Sequence, residues 1–138
     1  MAGKVRIYGK ADQDKAPSES VEMSTFFSRL RAQYPHTYGS VGIHVRNEGK
    51  RTFAQASKMM LEGGFVKGTP DIIIPGSPTF LCELKSRKKG SRPSKEQMAY
   101  LETATKTDAF CVIAYGYEEA WNALNDWIES MENTGDPA

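Results

Sequence analysis

Apolar residues follow two different periods along the chain, and these predict both helices and strands. Near the N-terminus, Met23, Phe26, Phe27 and Leu30 recur every three or four residues, as they do on the buried side of a helix. The same spacing returns near the C-terminus, in the stretch that contains both tryptophans. We therefore expect helices over about residues 20–33, 52–62, 95–105 and 118–131.

Four shorter stretches have the composition of strands. Val41, Ile43 and Val45 alternate with other residues, which is typical of a strand with one buried face. Residues 69–74 end in three isoleucines, and residues 79–86 follow after a turn-rich segment, so these two stretches form a predicted hairpin. Residues 109–115 form a further buried strand. This order of elements predicts an α/β domain with a mixed sheet flanked by helices.

The two ends of the chain lack this periodicity. Residues 1–17 and 132–138 are polar, so we expect flexible tails on either side of one domain that spans residues 18–131. A length of 138 residues suits a single hydrophobic core. No apolar run approaches the roughly 20 residues of a membrane helix. No signal-peptide stretch opens the chain, and together these features favour a cytoplasmic protein without a membrane partner.

The net charge is only +1, but the charged residues are unevenly distributed. Basic residues crowd the segment from Lys85 to Lys95, whereas no Lys or Arg follows Lys106. A nearly neutral sum therefore conceals a basic face and an acidic face. Cys82 and Cys111 lie in apolar strands without the spacing of a metal site, and we expect two reduced, buried thiols.

The spacing of Asp71, Glu83 and Lys85 on the predicted hairpin is the main chemical signal. Residues two apart in a strand share a face, so Glu83 and Lys85 project to the same side of the sheet. Asp71 opens the first strand of the hairpin, and a hairpin brings the start of one strand beside the end of the next. The two carboxylates are therefore expected to converge, with the amine of Lys85 beyond them.

Two carboxylates at close quarters repel each other unless a cation neutralises them. Their hard oxygen atoms suit Mg²⁺ or Mn²⁺, which also accept phosphate oxygens and make a bound water more acidic. Lys85 would orient the attacking water or stabilise the transition state as a point charge. This combination favours hydrolysis of phosphodiester bonds. The alternative is a charged edge strand with solvated side chains, since an E-x-K pattern alone is very common.

Several short motifs together resemble the VRR-NUC family of the PD-(D/E)xK nuclease superfamily. The resemblance covers most of the chain from about Glu22 onward. The matching pieces are Gly68-Thr69-Pro70-Asp71, Glu83-Leu84-Lys85-Ser86, Ser94 with Gln97, Tyr115-Gly116 followed by Glu119-Ala120, and Asn47-Glu48-Gly49-Lys50-Arg51 upstream.

The resemblance implies a restriction-endonuclease-like fold and a Mg²⁺ or Mn²⁺ site without a small-molecule cofactor. By matching position, Asp71 and Glu83 would be metal ligands, the backbone carbonyl of Leu84 a third ligand, and Lys85 the catalytic lysine. For a chain of this size, the resemblance further implies a structure-specific nuclease that cuts branched DNA such as four-way (Holliday) junctions. Such family members are often homodimeric. The implied setting is the cytoplasm of a bacterial or phage-infected host cell.

The resemblance also implies two supporting residues, each with a structural alternative. Glu22 matches a helical glutamate that reaches the metal, although Glu19 competes for this role and an acid near a helix N-terminus is favourable in itself. Gln97 matches an active-site glutamine. Ser94 and Gln97 also have the spacing of a helix capping box, and we expect one side chain to perform only one of these roles.

Basic residues around the predicted site are candidates for contacts with DNA phosphates, which position a duplex without reading its sequence. The alternative for the basic run after Glu83 is a solvated loop. His36 and His44 are expected to be structural, with the alternative that His44, which alternates with core residues, faces the cleft. Trp121 and Trp127 are expected to be core or dimer contacts. The candidate phosphate-binding residues are Lys50, Arg51, Lys67, Arg87, Lys88, Lys89 and Arg92.

Two rival functions remain open at this point. The chain is either a DNA-binding module without catalytic activity or an interaction subunit of a replication or recombination complex, with its acidic last helix as the docking face. The first predicts binding without cleavage in any divalent cation, and the second predicts no DNA affinity at low salt.

Overall fold

A computed structural model describes residues 3–46, 53–64 and 66–133 of the chain, and the predicted turn at 47–49 lies outside them. The described part is one mixed sheet with helices on both faces. In chain order the elements are β1 (Arg6–Tyr8), α1 (Glu19–Gln33), α2 (Tyr38–Val41), β2 (Ile43–His44), α3 (Phe53–Leu61), β3 (Ile72–Ile74), β4 (Phe80–Lys85), α4 (Lys95–Thr105), β5 (Phe110–Tyr115) and α5 (Tyr117–Asn133).

The five strands are arranged in the order β1-β5-β4-β3-β2. β5 runs parallel to both of its neighbours, β1 and β4, whereas β3 is antiparallel to β4 and to β2. The predicted hairpin is therefore confirmed, and so is the mixed α/β sheet flanked by helices. β4 and β5 are buried along most of their length, as expected for central strands covered on both sides.

Two hydrophobic clusters cover the two faces of the sheet. On one face, α1 and α5 pack on alternate residues of the strands, among them Ile72, Cys82 and Leu84. On the other face, α4 packs on the intervening residues, such as Leu81 and Ile113. Because neighbours along a strand point to opposite faces, Glu83 and Lys85 project on the α4 side.

The predicted core residues take their expected places. Trp121 and Trp127 are buried, and the indole Nε1 of Trp127 donates to the carbonyl of Pro78 at 2.7 Å. Cys82 and Cys111 are free and buried, which confirms the expected thiols. None of the helices in the described part of the chain is long and apolar enough to cross a lipid bilayer.

The N-terminal segment departs from the predicted flexible tail. Arg6–Tyr8 forms the parallel edge strand β1 beside β5, and Gln13 forms a bridge with Lys88. Pairing with distant strands holds these residues, although Ile7 remains 65% exposed and gives no hydrophobic period. At the other end, α5 continues to Asn133, and the remaining residues of the predicted C-terminal tail lie outside the described part.

The strand predicted at residues 41–45 is present but shorter than expected. Val41 ends the short helix α2, and only Ile43 and His44 pair with β3. By contrast, α1 and α4 match their predicted bounds to within a residue. Their caps explain why, since the side chains of Ser18 and Ser94 accept hydrogen bonds from the first turns of these helices.

Candidate active site

The register of the β3–β4 hairpin places Asp71 beside Glu83. Ile72 pairs with Cys82 in this antiparallel ladder, so one further step puts Asp71 opposite Glu83. Side chains directly opposite each other in such a pair project to the same face. The Oδ2 atom of Asp71 also accepts a hydrogen bond from the backbone N–H of Leu84 at 3.0 Å. The two acids of the predicted centre are thus brought together.

Gly68 allows this arrangement because the chain before Asp71 passes close to α4. Its φ of 83° lies in the left-handed region, and a Cβ at this position would collide with the backbone of Glu96. The loop that leads into β3 is therefore packed against the first turn of α4. That turn carries Gln97, the third side chain at the site.

Glu83 is the buried centre of the cluster, with 1% of its side chain exposed. Its Oε2 atom accepts a hydrogen bond from Nε2 of Gln97 at 2.9 Å and lies 3.3 Å from Nζ of Lys85. Its Oε1 atom is buried without a hydrogen-bond partner in the described structure. A buried carboxylate oxygen in this condition is rare, because desolvation without a hydrogen bond costs free energy.

Burial and mutual repulsion govern the protonation of the two acids. Burial and the negative charge of Asp71 raise the pKa of Glu83 to about 9, although Lys85 opposes the rise. Burial also raises the pKa of Asp71, against hydrogen bonding and the positive charges of Lys85 and His44. Without a metal ion, the Glu83 carboxyl therefore holds a proton at neutral pH. A divalent cation at the pair would displace that proton.

Gln97 forms the capping box and also contacts Glu83, two arrangements that were expected to exclude each other. Its Oε1 atom accepts from the backbone N–H of Ser94 at 2.7 Å, and its backbone N–H donates to the Ser94 hydroxyl at 3.1 Å. Its Nε2 atom remains available and donates to Glu83. An amide has an acceptor end and a donor end, so the capping box fixes the direction in which the donor points.

Glu22 does not join the pair of acids. Its side chain is 2% exposed, and its Oε2 atom accepts a hydrogen bond from Nε of Arg87 at 3.2 Å. Within the described residues, no group of three or more Asp, Glu, His or Cys side chains is placed to hold a metal ion. The expected acid from α1 is thus an ion-pair partner here. Glu19, its competitor, is exposed.

Leu84 lies between the two catalytic candidates of β4, with its side chain buried on the α1 face. The structure assigns its N–H group to Asp71, as described above. The role of its carbonyl oxygen as a metal ligand stays a prediction.

Several predicted phosphate-binding cations are engaged with acids. Arg87 is bound to Glu22, Nζ of Lys89 lies 2.8 Å from Oδ1 of Asp14, and Nζ of Lys67 lies 3.9 Å from Oε1 of Glu96. Lys88 and Arg92 are exposed and form no ion pair within the described residues. Lys50 and Arg51 lie outside the described part of the chain.

His44 lies closer to the acids than its expected structural role suggests. It pairs with Ile72 in the β2–β3 ladder, its ring centroid is 6.3 Å from that of Phe27, and its charge lowers the pKa of Asp71. Arg31 and Arg46 line a groove beside it, and no sequence motif points to them. The one sequence pattern that could have indicated this groove is the four-residue spacing of Ser20, Ser24 and Ser28 on α1.

Comparison of the chain with family models, with curated proteins and with solved structures yields no match. The resemblance to VRR-NUC nucleases therefore stays a prediction from motifs. The geometry of the Asp71–Glu83 pair is therefore the basis for a functional proposal.

Proposed function

We propose that the chain is a metal-dependent endonuclease with a restriction-endonuclease-like fold, which hydrolyses phosphodiester bonds of DNA. The observation that carries this proposal is the Asp71–Glu83 pair, with Lys85 beside it and one buried carboxylate oxygen without a partner. The coarse fold is compatible, since a hairpin bearing two acids is followed by a parallel β4–β5 pair and flanked by helices.

The pair fits Mg²⁺ or Mn²⁺ by the chemistry of its donors. Two hard carboxylates suit a cation that keeps several waters and is commonly held by only one or two carboxylates. Asp71 and Glu83 would hold the ion, and Oε1 of Glu83 is the oxygen that lacks another partner. When bound, such an ion supplies an acidified water and neutralises charge on the scissile phosphate.

The surrounding residues hold the two acids in place. The N–H of Leu84 orients Asp71, and Nε2 of Gln97 orients Glu83. Lys85 is 11% exposed, so its ammonium group lies at the edge of the buried cluster, where it contacts Glu83 and faces the approaching substrate. There it would stabilise negative charge that develops during hydrolysis. Glu22 contacts Arg87 and not the two acids.

The preferred substrate and the oligomeric state belong to the same proposal. The motif resemblance favours branched DNA, such as four-way junctions, and a homodimer with two active sites, which suits paired cuts.

Large exposed apolar side chains support an association surface: Ile43, Met60, Leu61 and Val66 are between 51% and 89% exposed. Leu61→Glu is expected to yield monomers in sedimentation velocity, with Lys58→Gln, which changes the net charge by the same one unit, as the control.

A non-catalytic DNA-binding or interaction subunit is the second candidate. The observation in its favour is that only two carboxylates converge, because Glu22 is bound to Arg87. Under this alternative, DNA binding persists while no divalent cation supports cleavage.

A cleavage assay tests the proposal. Four-way junction, flap, duplex and single-stranded DNA are offered with Mg²⁺, Mn²⁺, Ca²⁺ or EDTA. Cleavage is expected with Mg²⁺ or Mn²⁺ and to be lost in Asp71→Ala and Lys85→Ala, whereas Lys95→Ala, an exposed lysine on α4, retains it. Cleavage that persists in both site variants contradicts the assignment of this centre.

A further inference from the structure

An open groove with a volume of about 470 Å³ lies between α1 and β2, on the sheet face opposite α4. Met23 and Phe27 form its apolar floor. Its polar wall combines three hydroxyls with three basic side chains, from Ser20, Ser24, Ser28, Arg31, His44 and Arg46.

The helix geometry of α1 creates one wall of this groove. Ser20, Ser24 and Ser28 are four residues apart, so their hydroxyls lie along one face, and Arg31 follows one turn later. From Ser20 to Arg31 the helix rises about 16 Å. A strand of duplex DNA carries one phosphate per roughly 3.4 Å of axis, so this wall is long enough for several phosphates.

The charge of the groove favours an anion. None of the described residues that line it is acidic, while Arg31 and Arg46 carry permanent positive charges. Arg31 lies with its guanidinium carbon 5.4 Å from the ring centroid of Phe27 and forms no ion pair within the described residues. In the predicted basic loop, by contrast, Arg87 and Lys89 are bound to acids.

The groove borders the candidate active site through the edge of the sheet. His44 pairs with Ile72, and the N–H of the next residue, Val45, donates to the carbonyl of Asp71 at 2.7 Å. The groove and Asp71 are therefore one residue pair apart along this edge, but the Asp71 side chain projects on the α4 face. A backbone seated in the groove would have to cross the edge of the sheet to reach the two acids. Serine hydroxyls and arginines are groups that commonly contact phosphates without reading bases.

We propose that this groove binds the sugar–phosphate backbone of the DNA that the Asp71–Glu83 centre cuts, so that α1 positions the substrate. This inference rests on the proposed nuclease function and extends it. It assigns the main phosphate contacts to Arg31, Arg46 and the serine face of α1 rather than to Arg87 and Lys89 of the predicted basic loop.

Two matched pairs of variants on α1 test the proposal. Arg31→Gln and Arg29→Gln each remove one exposed positive charge, but the two positions lie roughly 160° apart around the helix. Arg29 instead stacks over Trp121, with its guanidinium carbon 4.3 Å from the ring centroid. Ser24→Glu and Gln33→Glu each add one negative charge, on sides roughly 180° apart.

The measurement is the affinity for a fluorescent four-way junction and a matching duplex in Ca²⁺, followed by anisotropy over a series of salt concentrations. Arg31→Gln is expected to reduce the salt slope by about 0.9, the contribution of one phosphate contact, and the affinity by roughly eightfold at 0.1 M salt. Ser24→Glu is expected to weaken binding further. Arg29→Gln and Gln33→Glu are expected to retain the wild-type slope, and thermal melting checks that all four variants are folded.

The outcomes separate this inference from the proposed function. If the wild-type protein binds and cuts DNA but the two variants of each pair lose the same DNA affinity, the groove is not the binding site. The proposed nuclease function is then unaffected. Groove-dependent binding without cleavage supports the groove and contradicts the nuclease. A wild-type protein with no DNA affinity at low salt overturns both.

Discussion

Glu22 and Glu83 are both about 1% exposed, yet their surroundings differ. Glu22 faces one permanently charged guanidinium, that of Arg87. Glu83 lies beside a second acid, Asp71, and a single one of its oxygens, Oε2, contacts both Lys85 and Gln97. Glu22 therefore joins α1 to the segment after β4, whereas Oε1 of Glu83 has no hydrogen-bond partner among the described residues. Burial of an acid does not by itself indicate an active site; the charges around it do.

The largest expected effect comes from exchanging the two glutamates for their amides. Glu83→Gln removes the ligand charge and should reduce the cleavage rate by about 10²–10³-fold, the range found when one group that stabilises developing charge is lost. Glu22→Gln should change the rate by less than about tenfold, because Glu22 contacts Arg87 and not the reacting atoms. Single-turnover cleavage of a four-way junction measures both rates. Equal losses in the two variants would make Glu22 part of the catalytic centre.

The free energy of unfolding should respond in the opposite order, with the larger loss in Glu22→Gln. Glu22→Gln leaves Arg87 without its carboxylate, and we expect a loss of about 1–3 kcal/mol in the free energy of unfolding, less than for a fully buried pair because the Arg87 side chain is 35% exposed. Glu83→Gln replaces a carboxyl that is already uncharged in the metal-free protein at neutral pH, so it should not destabilise that protein. Urea unfolding in EDTA compares the two, with exposed Glu129→Gln as the control. A metal-free Glu83→Gln variant that is the less stable of the two contradicts this comparison.

A smaller effect is expected in the pH dependence of metal-free stability. The pKa of Glu83 is about 9 in the folded protein and near 4.5 when the chain is unfolded, so the folded state binds more protons between these values. The stability that this proton provides is fully present below pH 4.5 and is lost as the pH rises through about 9. Asp71, whose pKa is also raised, acts in the same direction.

Urea unfolding in EDTA across this pH range tests the sign of the effect. Wild type should lose stability as the pH rises, and Glu83→Gln should have a flatter profile because it has no proton to lose. Profiles of the same shape in the two proteins would show that Glu83 does not titrate as described.

The convergence of Asp71 and Glu83 was predictable because strand geometry is local. A period of two fixes the common face of Glu83 and Lys85, and the short turn of the β3–β4 hairpin brings Asp71 opposite. The start of α4 was predictable for the same reason, since its capping box involves residues only three apart. In each case the deciding contacts lie within a few residues or one hairpin.

The features that escaped prediction depend on partners far along the chain. Glu22 and Arg87 are 65 residues apart, and neither residue alone indicates the ion pair. β1 exists because its backbone pairs with β5, more than one hundred residues later, and not because of an apolar period. The contact between Gln97 and Glu83 also depends on distant residues. The cap uses Oε1 of Gln97, and Nε2 reaches Glu83 only because α4 packs beside β4.

Calorimetric titration of the metal-free protein with Mn²⁺ tests the central claim most directly, because it requires neither substrate nor cleavage. We predict binding that strengthens as the pH rises, with release of the Glu83 proton. Binding should be lost in Glu83→Gln and in Asp71→Asn and should be retained in Glu22→Gln. Mn²⁺ binding that is unchanged in Glu83→Gln would contradict the assignment of the Asp71–Glu83 pair as the metal centre.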